Sequence, residues 1–370
     1  MRLALLLVLT LSCSSVSNAQ FGAPQGPGDM SMQELVTDIQ QNSLEDAMPS
    51  ILELISRIEN DDEASDIMLS VLSNAYFELS RHHYNLFLEN EEDKSQGVRS
   101  IEYGEKLRAI SLNNSEMASS LLYEISIHEI NQDWEAMRNS LRATLDGIDK
   151  GIVPNTYKEK LLEDLCFSYA SAKEWEAGRE VFLQAYNFAF DNTKLQILSA
   201  IYLIQSYEKT NEPEKALPYI PHLNQAGKER YDPNLNLALF KLGNQFSDQA
   251  DYSSANHMYF ICLTIEAITE YNQNLLEQLE ARANRLSGQN LKVPDEVANQ
   301  IPALQEYIEA LKEETSYTGP LKYHRARNLE RMGRIYDAYF AYRRLINEHP
   351  EHTNAQLFHY TAFNQADQIN

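Results

Sequence analysis

Two histidines stand side by side at His82-His83, and two more sit three apart, His349 and His352, around Pro350. Imidazoles can hold a metal or move protons near neutral pH. Successive residues on a helix point about 100° apart, so His82 and His83 are poorly placed to share one ion. His349 and His352 fit a polar helix end. Carboxylates cluster at Asp61-Asp62-Glu63 and at Glu91-Glu92-Asp93. The first cluster fits a helix N-terminus, where negative charge meets the positive end of the dipole, and the second fits a solvated loop. Neither has the Asn, Gly and spaced bidentate Glu of a calcium loop. No Gly-rich phosphate loop, His-Glu-x-x-His or Gly-x-Ser-x-Gly occurs. The sequence therefore assigns no catalytic, metal or cofactor residue, and the chain reads as not an enzyme. A hydrolase using two acids that converge in a cleft is the catalytic alternative.

Composition limits the partners. With 43% apolar residues in 370, the chain can bury a sizeable core. Only 13 Gly and 12 Pro, against abundant Leu, Ala, Glu, Asn and Gln, favour helix over sheet. The 31 Lys+Arg against 54 Asp+Glu give a net charge of −23, which repels phosphate backbones and anionic lipid heads. Nucleic acid is thus not an expected partner. A protein or peptide of neutral to basic charge is.

The first residues, MRLALLLVLTLSCSSVSNAQ, place one Arg before an apolar run and small residues at Ser17 and Ala19. This predicts a signal peptide over 1–19 and export to a bacterial periplasm or the medium. The run is too short for a permanent span, and no other apolar stretch reaches 18 residues. Cys13 after Thr10-Leu11-Ser12 offers an alternative, an outer-membrane lipoprotein anchored at that cysteine. Residues 20–33, rich in Gly, Pro and Gln, read as a flexible leader. Cys166 and Cys262 fall on apolar helical faces and read as buried free thiols.

From residue 34 to 370 the periodicity is helical almost throughout. The stretch LERMGRIYDAYFAYRRLINEHPEH at 329–352 reads as a helix end, a turn at Gly333, a second helix with Ala338 at the close crossing, and a stop at Pro350. The pattern recurs at 121–144, 162–186, 200–220 and 239–262. From Met137 to Gly178 is 41 residues, on to Ala216 is 38, on to Ala255 is 39, and on to Ala338 is 83, about two periods. Such a period means stacked supersecondary units. Further readings are a helix pair over 68–86 and 98–112, an N-terminal cap over 33–58 broken near Pro49, one long helix from Ala255 to about Leu286, an interruption at 287–296, and a polar-faced C-terminal capping helix over 353–369.

Leu242-Gly243, Phe246, Ala255 and Tyr259, with Gly333, Ala338, Tyr342 and Pro350, resemble the signature of the tetratricopeptide repeat (TPR) family, over about residues 120–350. The period, nearer 39 than the family's usual 34, departs from it. The resemblance implies an all-α fold: a right-handed α-solenoid of stacked antiparallel helix pairs, here six to seven, holding a partner segment in its concave groove. By phase from each crossing residue, Phe167, Gln205, Glu208, Asn244, Asp248, Tyr323 and Arg327 line that groove. Asn244 has an amide suited to a peptide backbone, although Phe240 stands where carboxylate-clamping members carry Lys. Tyr169, Tyr207, Tyr259 and Tyr342 fall on core stripes. The expected function is an exported scaffold or adaptor. The alternative is a structural subunit of an envelope or secretion assembly.

Overall fold

The computed structural model describes residues 26–61, 65–111, 113–189, 194–289, 291–313, 316–348, 350 and 355–369. The signal-peptide reading, Cys13, Asp62, Glu63, His349 and His352 lie outside the described residues. Every regular element among the described residues is helical, and successive helices pack on one another as an all-α array of helix pairs. None of these helices is long and apolar enough to cross a membrane. The chain divides into two compact units, one ending at Ala172 and one beginning at Lys173.

The first unit contains α1 (Met32–Gln41), α2 (Leu44–Glu59), α3 (Asp66–Glu89), α4 (Lys94–Ile110), α5 (Asn114–Ile130), α6 (Trp134–Asp149) and α7 (Lys158–Ser171). Each packs on the next, and α3 also packs on α5. Leu35, Ile51, Leu54, Ile55, Leu72, Tyr76, Leu79 and Leu107 form the core of its first helices. Ser31, Ser43 and Ser65 begin α1, α2 and α3 by accepting a backbone N–H three residues on. The break expected near Pro49 falls instead at Asn42-Ser43. Ser43 starts a new helix there, and Pro49 sits inside α2, where its ring removes only one helical hydrogen bond. The described part of the leader is also ordered. The Arg57 guanidinium donates to the carbonyls of Pro27, Gly28 and Met30, which lays this segment on α2. Asp93, read as plain loop, caps α4. A polar network ties α4, α5 and α6: Arg108 donates to Glu124 at 2.7 Å and to Ser120, while Ser140 donates to the other carboxylate oxygen.

The second unit contains α8 (Trp175–Phe188), α9 (Lys194–Lys209), a short turn Pro213–Ala216, 3-10 segments Leu217–Gln225 and Gly227–Tyr231, then α10 (Pro233–Asp248), α11 (Tyr252–Ile261), α12 (Ile265–Gly288), α13 (Asp295–Glu313), α14 (Thr318–Arg331), α15 (Ile335–Glu348) and α16 (Ala355–Ile369). Pro218 and Pro221 withhold two N–H donors, so the stretch after Ala216 winds as 3-10 rather than α. The single long helix expected over 255–286 is two. It breaks at Cys262-Leu263-Thr264, and Thr264 caps α12 by accepting from Ala267. α12 and α13 pair as a hairpin, and α14 returns to pack on α10 and α11. The outer face of the last helix is mixed rather than polar: Gln356, His359 and Asp367 are exposed on it, but so are large apolar side chains. α16 exposes Leu357, Tyr360 and Phe363, the last two by 65% and 71%. Cys166 and Cys262 are buried and form no disulfide among the described residues, and Tyr169, Tyr207, Tyr259 and Tyr342 are buried.

One turn recurs. Gln132, Lys173, Asn211, Ala250 and Gly333 all have positive φ, from 56° to 72°. Each stands five residues before the crossing residues Met137, Gly178, Ala216, Ala255 and Ala338, which are all buried. At four of these turns the next residue donates back to a carbonyl five earlier: Asp133 to His128, Glu212 to Tyr207, Asp251 to Phe246 and Arg334 to Leu329, at 2.9–3.0 Å. This is the 6→1 bond of a Schellman turn, which satisfies carbonyls orphaned at a helix end.

Two glycines serve different purposes in these pairs. Gly333, at φ +72°, has open space around a would-be Cβ, so its requirement is backbone conformation alone. Gly243 is helical, but a Cβ there would lie 2.4 Å from the Tyr259 ring, so its requirement is close approach. Gly333→Ala should cost about 1 kcal/mol from left-handed strain, and Gly243→Ala about 1–3 kcal/mol from overpacking a buried ring. Urea unfolding of the two variants checks the order. A Gly243→Ala protein as stable as wild type would refute the packing argument.

Candidate functional site

α10 and α14 are the first helices of two neighbouring pairs, α10–α11 and α14–α15. The α12–α13 hairpin is inserted between the pairs, and hydrogen bonds at its base set where α14 begins. Buried Asn236 on α10 accepts from the backbone N–H of Leu263 at 2.8 Å, and Tyr317 donates to the Leu263 carbonyl at 2.6 Å. Ser316 and Thr318 both donate to the Glu266 carboxylate. Burial pushes the Glu266 carboxyl up, but the bonds from Thr318, its own backbone N–H, Ser316 and Thr264 outweigh that and hold it below the usual range. Cys262 donates to the Asn236 carbonyl, and burial pushes its thiol up to about 12, an inert structural cysteine.

With α14 so placed, α10 and α14 enclose a pocket of about 200 Å³ lined by Asn244, Ser247, Asp248, His324, Arg327 and Arg331. Tyr259 donates to Asn244 Oδ1 at 2.7 Å, which leaves the amide N–H groups of Asn244 for a ligand. Arg331 donates to Ser247 at 2.9 Å, and its guanidinium lies over the Tyr252 ring at 5.4 Å, so it is held. Arg327 and Asp248, both exposed, form no ion pair among the described residues. His324 packs edge-on to Phe240 at 5.6 Å. Burial, then Arg327 and Arg331, hold its imidazole below its ordinary pKa against the opposing pull of Asp248. At neutral pH the pocket therefore offers two cations, one anion, an amide and a neutral imidazole. Its volume suits one side chain or a chain terminus, below the range of ordinary small-molecule sites.

Of the seven residues assigned from the sequence, Asn244, Asp248 and Arg327 meet in this pocket. Gln205 and Glu208 are buried in α9, which packs against α8, α10 and the 3-10 segment. Glu208 pairs with Lys209 at 3.1 Å, and its carbonyl accepts from Gln245. Their phase was right for an open inner face, but neighbouring elements cover it. Tyr323 packs on Phe358 and Tyr342 in the core of the last helices. Phe167, in the first unit, is exposed and meets Trp134 edge-on at 5.8 Å. Ser247, His324 and Arg331 escaped the sequence reading, although each lies three or four residues from an assigned one on the same helical face. Among the described residues no group of His, Cys, Asp and Glu is placed to hold a metal.

Because His324 is depressed in the folded state, unfolding takes up a proton as pH falls below its unfolded value of 6.5. Its contribution is fully present above that pH and is lost as pH falls through the folded value. His324→Gln should flatten the stability–pH slope below pH 6.5, measured by urea unfolding between pH 7.5 and 5. An unchanged slope would remove the assignment of a half-buried, neutral imidazole.

No family model matches the sequence, and no curated protein matches it. Among solved structures, the chain is similar to that of a Rap protein complexed with competence and sporulation factor. The identity is 13% and the TM-score 0.32, with 91% of this chain and 97% of that one covered.

Proposed function

We propose that the chain is an exported helical-repeat scaffold, built of long repeats of about 39 residues, that docks a segment of another protein between α10 and α14. The observation that carries this reading is the convergence of Asn244, Asp248 and Arg327 on one pocket. Its groups suit a polypeptide: the Asn244 amide meets a backbone carbonyl, Asp248 a backbone N–H or a base, and Arg327 a carboxylate. Asp248 faces arginines rather than a second carboxylate, so the pocket lacks the acid pair of a hydrolase. The net charge of −23 favours a partner that is neutral to basic in bulk and associates more weakly at high salt. The second reading, a structural subunit of an envelope assembly, is favoured by one observation: the exposed apolar face of α16.

The test is capture from the source organism's envelope extract on immobilised wild-type, Asn244→Ala and Arg327→Glu protein, followed by calorimetry with the partner so identified. The variants should weaken binding about tenfold or more, the usual loss for an anchor contact. A partner held equally by all three proteins sinks the pocket, and recovery of the bait alone as a defined oligomer supports the structural reading.

A further inference from the structure

α14 carries a second site on its opposite face. His324, Arg327 and Arg331 turn toward the pocket above. Lys322, Arg325 and Leu329 lie about half a helical turn round and line a groove of about 680 Å³ between α11, α14 and α15. Phe260 and Phe340 stand in this groove, each 66% exposed. Phe260 also walls an adjoining apolar pocket of about 390 Å³, where Leu217 and Ile220 face it.

The charge of the groove runs against that of the chain. Four cations, Lys322, Arg325, Arg334 and Arg344, line it with a single carboxylate, Asp337, in a molecule of 31 Lys+Arg and 54 Asp+Glu. Arg334 is satisfied by Asp337 at 2.8 Å, and Lys322 by Glu348 at 2.6 Å. Glu348 also reaches Arg344, at a looser 3.7 Å. Arg325 has no carboxylate partner among the described residues. Its guanidinium lies over the Phe260 ring at 5.1 Å, and burial, with Arg344 beside it, holds it below the ordinary arginine range. An arginine that is partly desolvated, lies over an exposed phenylalanine and lacks an anion has N–H donors open to a carboxylate. The apolar pocket beyond Phe260 supplies room for an anchor next to it.

From this juxtaposition we infer that the groove is a docking site for an acidic protein segment. One apolar side chain enters the pocket beside Phe260, and a neighbouring Asp or Glu pairs with Arg325 and Arg344. This surface is independent of the pocket between α10 and α14, and either can fail without the other.

The test is selection of a display library of random dodecamers on the full chain, followed by fluorescence anisotropy with the strongest binder as a labelled synthetic peptide. Peptides eluted by salt should be enriched in an Asp or Glu beside a large apolar residue. Affinity should fall about tenfold or more in Arg325→Glu and in Phe260→Ala, and stay within about twofold in Arg282→Glu, which makes the same charge change on the α12–α13 hairpin. All three side chains are at the surface, and circular dichroism checks that each variant is folded. Basic binders, or binding unmoved by both groove variants, overturns the inference. So does a wild-type protein that self-associates in sedimentation velocity and is made monomeric by Arg325→Glu, since the occupant would then be a second copy of this chain.

Discussion

The second unit depends on where α14 begins. An insertion of two helices separates α14 from the pair it stacks on, so chain connectivity alone does not fix its register. The contacts at the base of the hairpin do. Asn236 is fully buried, and its side-chain oxygen takes both the Leu263 N–H and the Arg230 guanidinium, while its amide donates to the carbonyls of Arg230 and Asp232. Every polar group of that side chain is used, and a buried amide so satisfied is costly to move. Glu266 then holds the far side of the break through Ser316 and Thr318. Two strands of backbone, at 263 and 317, are joined directly by Tyr317. The insertion can therefore reach outward while α14 keeps the place that an uninterrupted repeat would give it.

That placement has an electrostatic consequence. α14 carries Lys322, Arg325, Arg327 and Arg331 in ten residues, with Glu330 the only carboxylate on it. In a chain of net charge −23, this concentrates positive potential on one helix and divides it between two faces. Asn328, buried between those faces, donates to the Tyr252 carbonyl at 2.6 Å and fixes the rotation of the helix about its axis. A rotation by one residue, about 100°, would carry the arginines off the openings they line. Stacking position and rotation are thus both set by hydrogen bonds of single buried asparagines, one on each helix.

Much of this was legible in the residues, and the failures have identifiable causes. Gly333 announced its turn, because glycine alone enters the left-handed region without penalty. Asn211 carries the next-best residue for that region, whereas Gln132 and Ala250 make the same turn unannounced: there the returning 6→1 bond and packing of the pair override local preference. The break at Cys262-Leu263-Thr264 was missed because it contains neither Gly nor Pro; the cap Thr264 was its only mark. Pro49 misled in the opposite direction: it stands sixth in α2 and removes one helical bond, yet the helix runs on through it with its apolar face buried, and the true signal was Ser43 with Asp46 three residues on. Helical phase picked out Asn244, Asp248 and Arg327, which line one pocket. The same phase misplaced Gln205 and Glu208, because phase says which way a side chain points and not what covers it. The cover on α9 is partly the 3-10 segment, whose irregular path follows from Pro218 and Pro221 and has no counterpart in the other pairs described.

The exposed aromatics show where the repeat logic ends. Within the array, Tyr259 of α11 packs on α10 against Gly243 and Phe240, and Tyr342 of α15 packs on α14 against Tyr323, so each buries its ring within its own pair. α15 also carries Tyr336 and Phe340 outward, and α16 carries Leu357, Tyr360 and Phe363, at the three- and four-residue steps of a face that packs. Scattered single aromatics need no explanation, but two adjacent helices with such stripes form a patch. Phe340 belongs both to this patch and to the groove with Arg325. Phe340 therefore sets part of the apolar stripe of α15 beside the cations of the groove. A partner that met only the apolar stripe would gain area without register, because apolar contact is non-directional. The guanidiniums of the groove are what would fix orientation, since each donates to a carboxylate in few geometries. In the proposed groove, area and direction would come from different groups: Phe260 of α11 and Phe340 of α15 would supply the area, and Arg325 of α14 with Arg344 of α15 the direction.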